Sequence, residues 1–146
     1  MAIVLDASTA LAAVLPDEES AFCESAVATG LKEGIVAPAL WAYEVQNGLL
    51  IALRRKRLDA ESLAQALEAL RSFAPDLKAS EGISTELRIA QEHGVTAYDA
   101  AYLAVARAIG GKLATSDHKL RAAATSAGVR LFSVARSTRV SRGRRA

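Results

Sequence analysis

The sequence predicts an α/β fold: a mainly parallel sheet of about five strands with helices on both faces. Short apolar runs alternate with helical segments along the chain, and no hairpin turn signal separates two strand-like runs. The scale is set by 146 residues, 51% hydrophobic and 23% charged, which describe one soluble globular domain with a sizeable core rather than a disordered chain.

The elements follow in order. AIVL is a short apolar run ending at Asp6, suited to a buried strand, and residues 7–15 favour a helix that stops before Pro16. DEESAFCESAVATG predicts a second helix, with acids in its first turn and Gly30 near its end. GIVA is the next strand. It leads through Pro38, expected in a first helical turn, into a long helix over about residues 39–54. The basic cluster Arg54, Arg55, Lys56 and Arg57 suits that helix's C-terminus, where cations oppose the dipole. Asp59 reads as the N-cap of a helix ended by Pro75. DLKAS is a third strand of thin apolar content, and Ser80 is expected to cap a helix over 81–93. VTAYDAAYLAVA forms the next helix, running to Gly110 and Gly111; KLAT is a fourth strand, DHKLRAAATSAG a last helix and VRLFSV a fifth strand.

Charge is unevenly distributed. The formal net charge is +2, yet residues 136–146 hold five of the 18 basic residues and no acid. The remaining 135 residues therefore carry 13 basic and 16 acidic groups. The composition predicts a folded domain over 1–135 and a basic, disordered tail over 136–146 that either attracts a polyanion or merely solubilises the end. No apolar run is long enough to span a bilayer, and MAIVLDAST lacks the basic start of a signal peptide. Cys23 is the only cysteine, which excludes an internal disulfide framework and a Cys-based zinc site. A cytoplasmic location is expected.

Four acids carry the chemical argument. Asp6 and Asp117 each stand between a strand and a helix, where a plain N-cap explains them as well as a ligand role does. Asp99 falls at the third helical position if Thr96 is the cap, so it too has a capping explanation. Glu44 has none: a helix starting near 39 puts it more than a turn inside, on a narrow face with Leu40 and Gly48. Gly48 is costly in a helix and suits close approach of another element. If the strands beginning at 2 and 112 are neighbours, Asp6 and Asp117 share one crevice beyond the strand ends, where ligands lie in such sheets. Crowded carboxylates repel unless a cation joins them, and an all-oxygen donor set suits Mg²⁺ or Mn²⁺. Such sites typically serve phosphoryl transfer, with no histidine base required. His93 reads as a helix-end residue, and His118 as either a solvated first-turn residue or a phosphate contact.

IVLDASTALA at 3–12, ALWAYEVQNGL at 39–49, VTAYDAAYLAVARAIG at 95–110 and LATSDHKL at 113–120 together resemble the PIN-domain ribonucleases, especially the VapC-type toxins of VapBC toxin–antitoxin pairs. The pieces occur in the family's order, and the resemblance covers about residues 1–135. It implies a three-layer α/β/α sandwich and a catalytic metal site of Asp6, Glu44, Asp99 and Asp117 holding Mg²⁺ or Mn²⁺. Ser8 and Thr115 match the hydroxyl positions that orient carboxylates and water. The resemblance further implies a metal-dependent endoribonuclease, dimerisation, and an antitoxin whose C-terminal segment covers the acidic groove. Selectivity for RNA would come from groove shape and surface basicity, including Arg54, Arg55, Lys56 and Arg57, which equally fit solvated helix-end charges.

Alternatives are a PIN-type RNA-processing nuclease without an antitoxin, or an inactive RNA- or protein-interaction module. A haloacid-dehalogenase phosphatase needs an Asp where this chain has Ser8. A receiver domain needs paired acids and a lysine that this chain lacks. Neither a P-loop nor GxGxxG is present.

Overall fold

The computed structural model describes residues 1–134; the tail expected over 136–146 lies outside the described residues, as does the domain boundary at 135. Eleven elements are arranged as β1 (Ile3–Leu5), α1 (Ala7–Val14), α2 (Ala21–Glu33), β2 (Ile35–Pro38), α3 (Trp41–Arg54), α4 (Ala60–Phe73), β3 (Asp76–Lys78), α5 (Ile83–His93), α6 (Ala97–Ile109), β4 (Lys112–Ala114) and α7 (His118–Ser126). The strands form one parallel sheet in the order β3-β2-β1-β4.

The first strand is therefore central. Ile3 and Val4 pair with Ile35 and Val36 on one side and with Lys112 and Leu113 on the other. All three β1 side chains are buried, as a parallel strand covered on both faces requires. α2 packs on β1 and β2, and α6 packs on β2, β1 and β4. Six consecutive-layer residues of α6, from Ala100 and Tyr102 through Ala106, are buried, which explains why that helix is apolar almost all round.

The α/β class and parallel sheet agree with the sequence, while local details differ. The fifth strand is reduced to a single parallel bridge, Leu113↔Leu131, closed by Leu113 N–H donating to Arg130 O and Phe132 N–H donating to Leu113 O, both 2.9 Å. Pro38 is the last residue of β2, not part of a helical turn; it pairs with Lys78, and α3 begins only at Trp41. α2 runs through Gly30 and ends at Gly34, whose φ of +104° a side chain would disfavour. Gly30 instead serves packing: a Cβ there would lie 2.6 Å from Ile35 Cγ1. Ser80 does not cap α5, which starts after Gly82; its hydroxyl donates to Glu86 Oε1 at 2.8 Å. The close approach expected at Gly48 is made by α1, whose Leu11 side chain occupies the space a Cβ would need.

Candidate active site

β1 and β4 are adjacent and parallel, so the residues that follow them emerge at the same edge of the sheet. Asp6 follows β1 and is buried, with 8% of its surface exposed. It caps α1, its Oδ1 accepting from Ser8 N–H at 3.4 Å. Its Oδ2 accepts from Ser8 Oγ at 2.9 Å and from Thr115 Oγ1 at 2.7 Å. Thr115 follows β4 and is fully buried; its hydroxyl oxygen also accepts from Asp117 N–H at 3.1 Å. Asp117 in turn caps α7 through Oδ1 and Leu120 N–H at 3.0 Å. Both strand-end acids thus cap helices and are joined through a single threonine hydroxyl.

The other two acids come from helices. Asp99 is the third residue of α6, its backbone N–H donating to the capping Thr96 Oγ1 at 3.1 Å. Glu44 is the fourth residue of α3 because that helix starts later than the sequence suggests, which places it in the first turn and not more than a turn inside. Its carboxylate does no capping. Glu44 Oε1 accepts from the Tyr102 hydroxyl at 2.7 Å, and that hydroxyl oxygen accepts from Ala7 N–H at 3.3 Å.

Tyr102 is the residue that sequence reasoning missed. It is 1% exposed and ties α3 and α6 to the backbone just beyond Asp6. Its signal is a polar tip in an apolar helix, three residues after Asp99 and so on a neighbouring face.

Burial and the charges of neighbouring acids act on Glu44 and Asp99. Burial holds the Glu44 carboxyl above the usual carboxylate range, Tyr102 donation opposes this, and the negative charges of Asp6 and Asp99 add to the rise. Asp99 is raised first by burial, then by Asp117 and Asp6, with Lys119 and Thr96 opposing. The Tyr102 hydroxyl is pushed far above its ordinary value, chiefly by burial and then by Glu44, so it remains a donor at any working pH.

The donor set is wholly hard oxygen, and burial and neighbouring charge disfavour the ionised form of two of its members, Glu44 and Asp99. That chemistry fits Mg²⁺ or Mn²⁺. Among the described residues no three acidic, His or Cys side chains close around a point on their own. Mg²⁺ suits such a looser setting because it keeps several waters and takes one or two carboxylates together with substrate phosphate.

The basic cluster sits elsewhere. Arg54 is ten residues beyond Glu44 on α3, about 15 Å along the helix. Arg57 is engaged: its guanidinium donates to Asp17 at 2.7 and 3.1 Å and to Glu18 at 3.0 Å. Arg54, Arg55 and Lys56 are exposed.

This arrangement has known counterparts. The PIN-domain family model matches residues 3–125. The chain belongs to the PIN-domain family. Within that family it is of the VapC type: it is 40% identical over 123 residues to Ribonuclease VapC3 of Pyrobaculum aerophilum, covering 82% of this chain and 92% of that relative. It is 33% identical over 118 residues to Ribonuclease VapC9 of Mycobacterium tuberculosis, covering 81% and 87%. Among solved structures, that of PAE2754 from Pyrobaculum aerophilum superposes with a TM-score of 0.66 at 28% identity, over 84% of this chain and 79% of that one. No helix among the described residues is long and apolar enough to cross a membrane.

Proposed function

We propose that this PIN-domain chain is a Mg²⁺- or Mn²⁺-dependent endoribonuclease and the toxin of a toxin–antitoxin pair. The observation that carries the reading is the pairing of β1 with β4, which brings Asp6 and Asp117 onto the one Thr115 hydroxyl, with Glu44 and Asp99 near enough to feel the charge of Asp6. The VapC ribonucleases among its relatives support the substrate class.

Asp6, Glu44, Asp99 and Asp117 would hold the metal, which when bound supplies positive charge for the phosphodiester and lowers the pKa of water. Ser8 and Thr115 orient Asp6 by donating to its Oδ2. Tyr102 holds Glu44 by one oxygen and leaves the other for solvent or substrate. The products are a 5′-phosphate and a 3′-hydroxyl. In this reading the chain dimerises, and the C-terminal segment of a cognate antitoxin covers the acidic groove.

Purified protein with Mg²⁺ or Mn²⁺ should cut a pool of single-stranded RNA, EDTA should stop it, and E44Q or D99N should abolish cleavage while the protein stays folded. Wild-type rates in both variants would overturn the site assignment. Induced expression should arrest bacterial growth, and expression of D99N should not.

A further inference from the structure

Beside the acidic crevice lies a second concavity that none of these roles uses. It has a volume of about 380 Å³ and is lined by Phe22 at the start of α2, Phe132 beyond the bridge at Leu131, and Ser116, His118 and Arg121 around the start of α7. Its wall is aromatic and cationic. The Phe22 and Phe132 rings meet tilted, with centroids 5.7 Å apart, and the Arg121 guanidinium lies 5.9 Å from the Phe22 centroid. Arg121 is fixed from the other side, Nη1 donating to Thr115 O at 3.0 Å.

Three features connect this pocket to the acids. Ser116 and His118 are the neighbours of Asp117 on either side. Arg121 is bonded to the carbonyl of Thr115, the residue that holds Asp6. Lys119, one residue past His118, lies close enough for its charge to act on Asp99. The first turn of α7 therefore presents cations between a pocket with aromatic walls and a cluster of carboxylates. The volume falls within the range of small-molecule pockets, of about 300–1,000 Å³. Aromatic faces with an adjacent arginine are the usual platform for single-stranded bases, because every base has a π-face while the backbone needs positive charge.

We propose that this pocket is a nucleobase subsite: it takes an unpaired base of the RNA strand whose neighbouring phosphate lies at the acidic site. The inference rests on the ribonuclease reading and adds to it where the strand runs. The positive charges of Lys119 and Arg121 complement the intervening phosphates, and Phe22 supplies the stacking face.

The test is binding by the full chain in the absence of divalent metal, so that the RNA stays intact. A fluorescein-labelled single-stranded RNA and the same strand with abasic residues are titrated by anisotropy against wild type, F22A and F22L. F22L keeps the apolar volume, so it separates loss of stacking from loss of packing if F22A fails to fold. Loss of one base stack predicts affinity for intact RNA weaker by about 5- to 100-fold in F22L, with rescue by F22W. The abasic strand should bind wild type and F22L alike. Equal affinity of wild type and F22L for intact RNA would overturn the subsite, as would an equal loss on the abasic strand. Competition by AMP at the affinity of the RNA strand would also overturn it, marking a free-nucleotide site instead. Metal-dependent cleavage by a wild type insensitive to F22L removes the subsite alone; absence of both RNA binding and cleavage removes the ribonuclease reading and the subsite with it.

Discussion

Tyr102→Phe is the most informative single change in this protein, because it removes one oxygen atom and touches two elements of the site. The hydroxyl donates to Glu44 Oε1 at 2.7 Å and accepts from Ala7 N–H at 3.3 Å, in a side chain 1% exposed. A hydrogen bond to a charged group contributes about 1.5–3 kcal/mol, and here the lower end applies because Glu44 is half-buried and water can replace the donor. Leaving the Ala7 N–H without its partner costs about 1 kcal/mol more, at the weak end because the bond is long. The sum is about 2–3 kcal/mol, which for a chain of this size lowers Tm by about 6–10 °C. The pH dependence has a definite sign. Tyr102 donation favours ionised Glu44, so its loss raises further a carboxyl that burial already raises. The acid limb of kcat/KM for RNA cleavage should then move to higher pH, and the destabilisation should grow as pH rises through the Glu44 pKa. Thermal melts from pH 4 to 8 and a pH–rate profile read both effects. A variant that melts lower by the same amount at every pH, with an unmoved acid limb, would show that the hydroxyl acts through the Ala7 backbone and not through the charge of Glu44.

The raised carboxyls also govern stability without metal. A group whose folded pKa lies above its unfolded value contributes stability below the unfolded pKa and loses it as pH rises through the folded pKa. For Glu44 and Asp99 that loss begins near pH 4, the ordinary carboxylate range, and extends upward. D99N should therefore melt higher than wild type at pH 7 in EDTA and gain less from added Mg²⁺ or Mn²⁺; a lower metal-free Tm would contradict the shared field. Thr115→Val keeps shape but removes the donor to Asp6 and the acceptor for Asp117 N–H. It should cost about 1–3 kcal/mol in urea denaturation and lower cleavage sharply. Gly48→Ala should destabilise despite a helix-propensity gain of about 1 kcal/mol, because its methyl would displace Leu11 between α1 and α3, an overpacking cost of about 1–3 kcal/mol. A rise in Tm would mean that Leu11 moves aside freely.

The fold class was legible because parallel strands buried on both faces must read as uninterrupted apolar runs, as IVL and IVAP do. DLK was the weakest strand for the reason the sheet makes plain: β3 is an exposed edge. The fifth strand misled because VRLFSV has a strand's composition, whereas only Leu131 reaches the edge of β4. Local sequence cannot report how much of an edge a neighbouring segment will use. Asp6, Asp99 and Asp117 were each open to a capping explanation, and the structure makes every one either a cap or a first-turn residue while their charges also meet. Capping and clustering are compatible because strand ends and helix starts converge at one edge. Glu44 stood out through a misjudged helix start, since Pro38 closes a strand. Tyr102 shows in the sequence only as a polar tip in an apolar helix; its partner Glu44 lies 58 residues away, a separation that no local spacing encodes.

The pairing of β1 with β4 has a consequence for the life of the chain during synthesis. Asp6 leaves the ribosome well ahead of its partner Thr115, which lies 109 positions later, with Asp117 later still. Central strand β1 has one neighbour by residue 38 but lacks the other until residue 114. Pairing across such a separation is slow and comes late, since the whole intervening chain must be ordered first. A nascent or prematurely terminated chain therefore holds only part of its carboxylates in place. Under the ribonuclease reading, the nascent chain is harmless to the messenger RNA and ribosome that produce it until the segment from β4 to Asp117 has been made and has paired with β1.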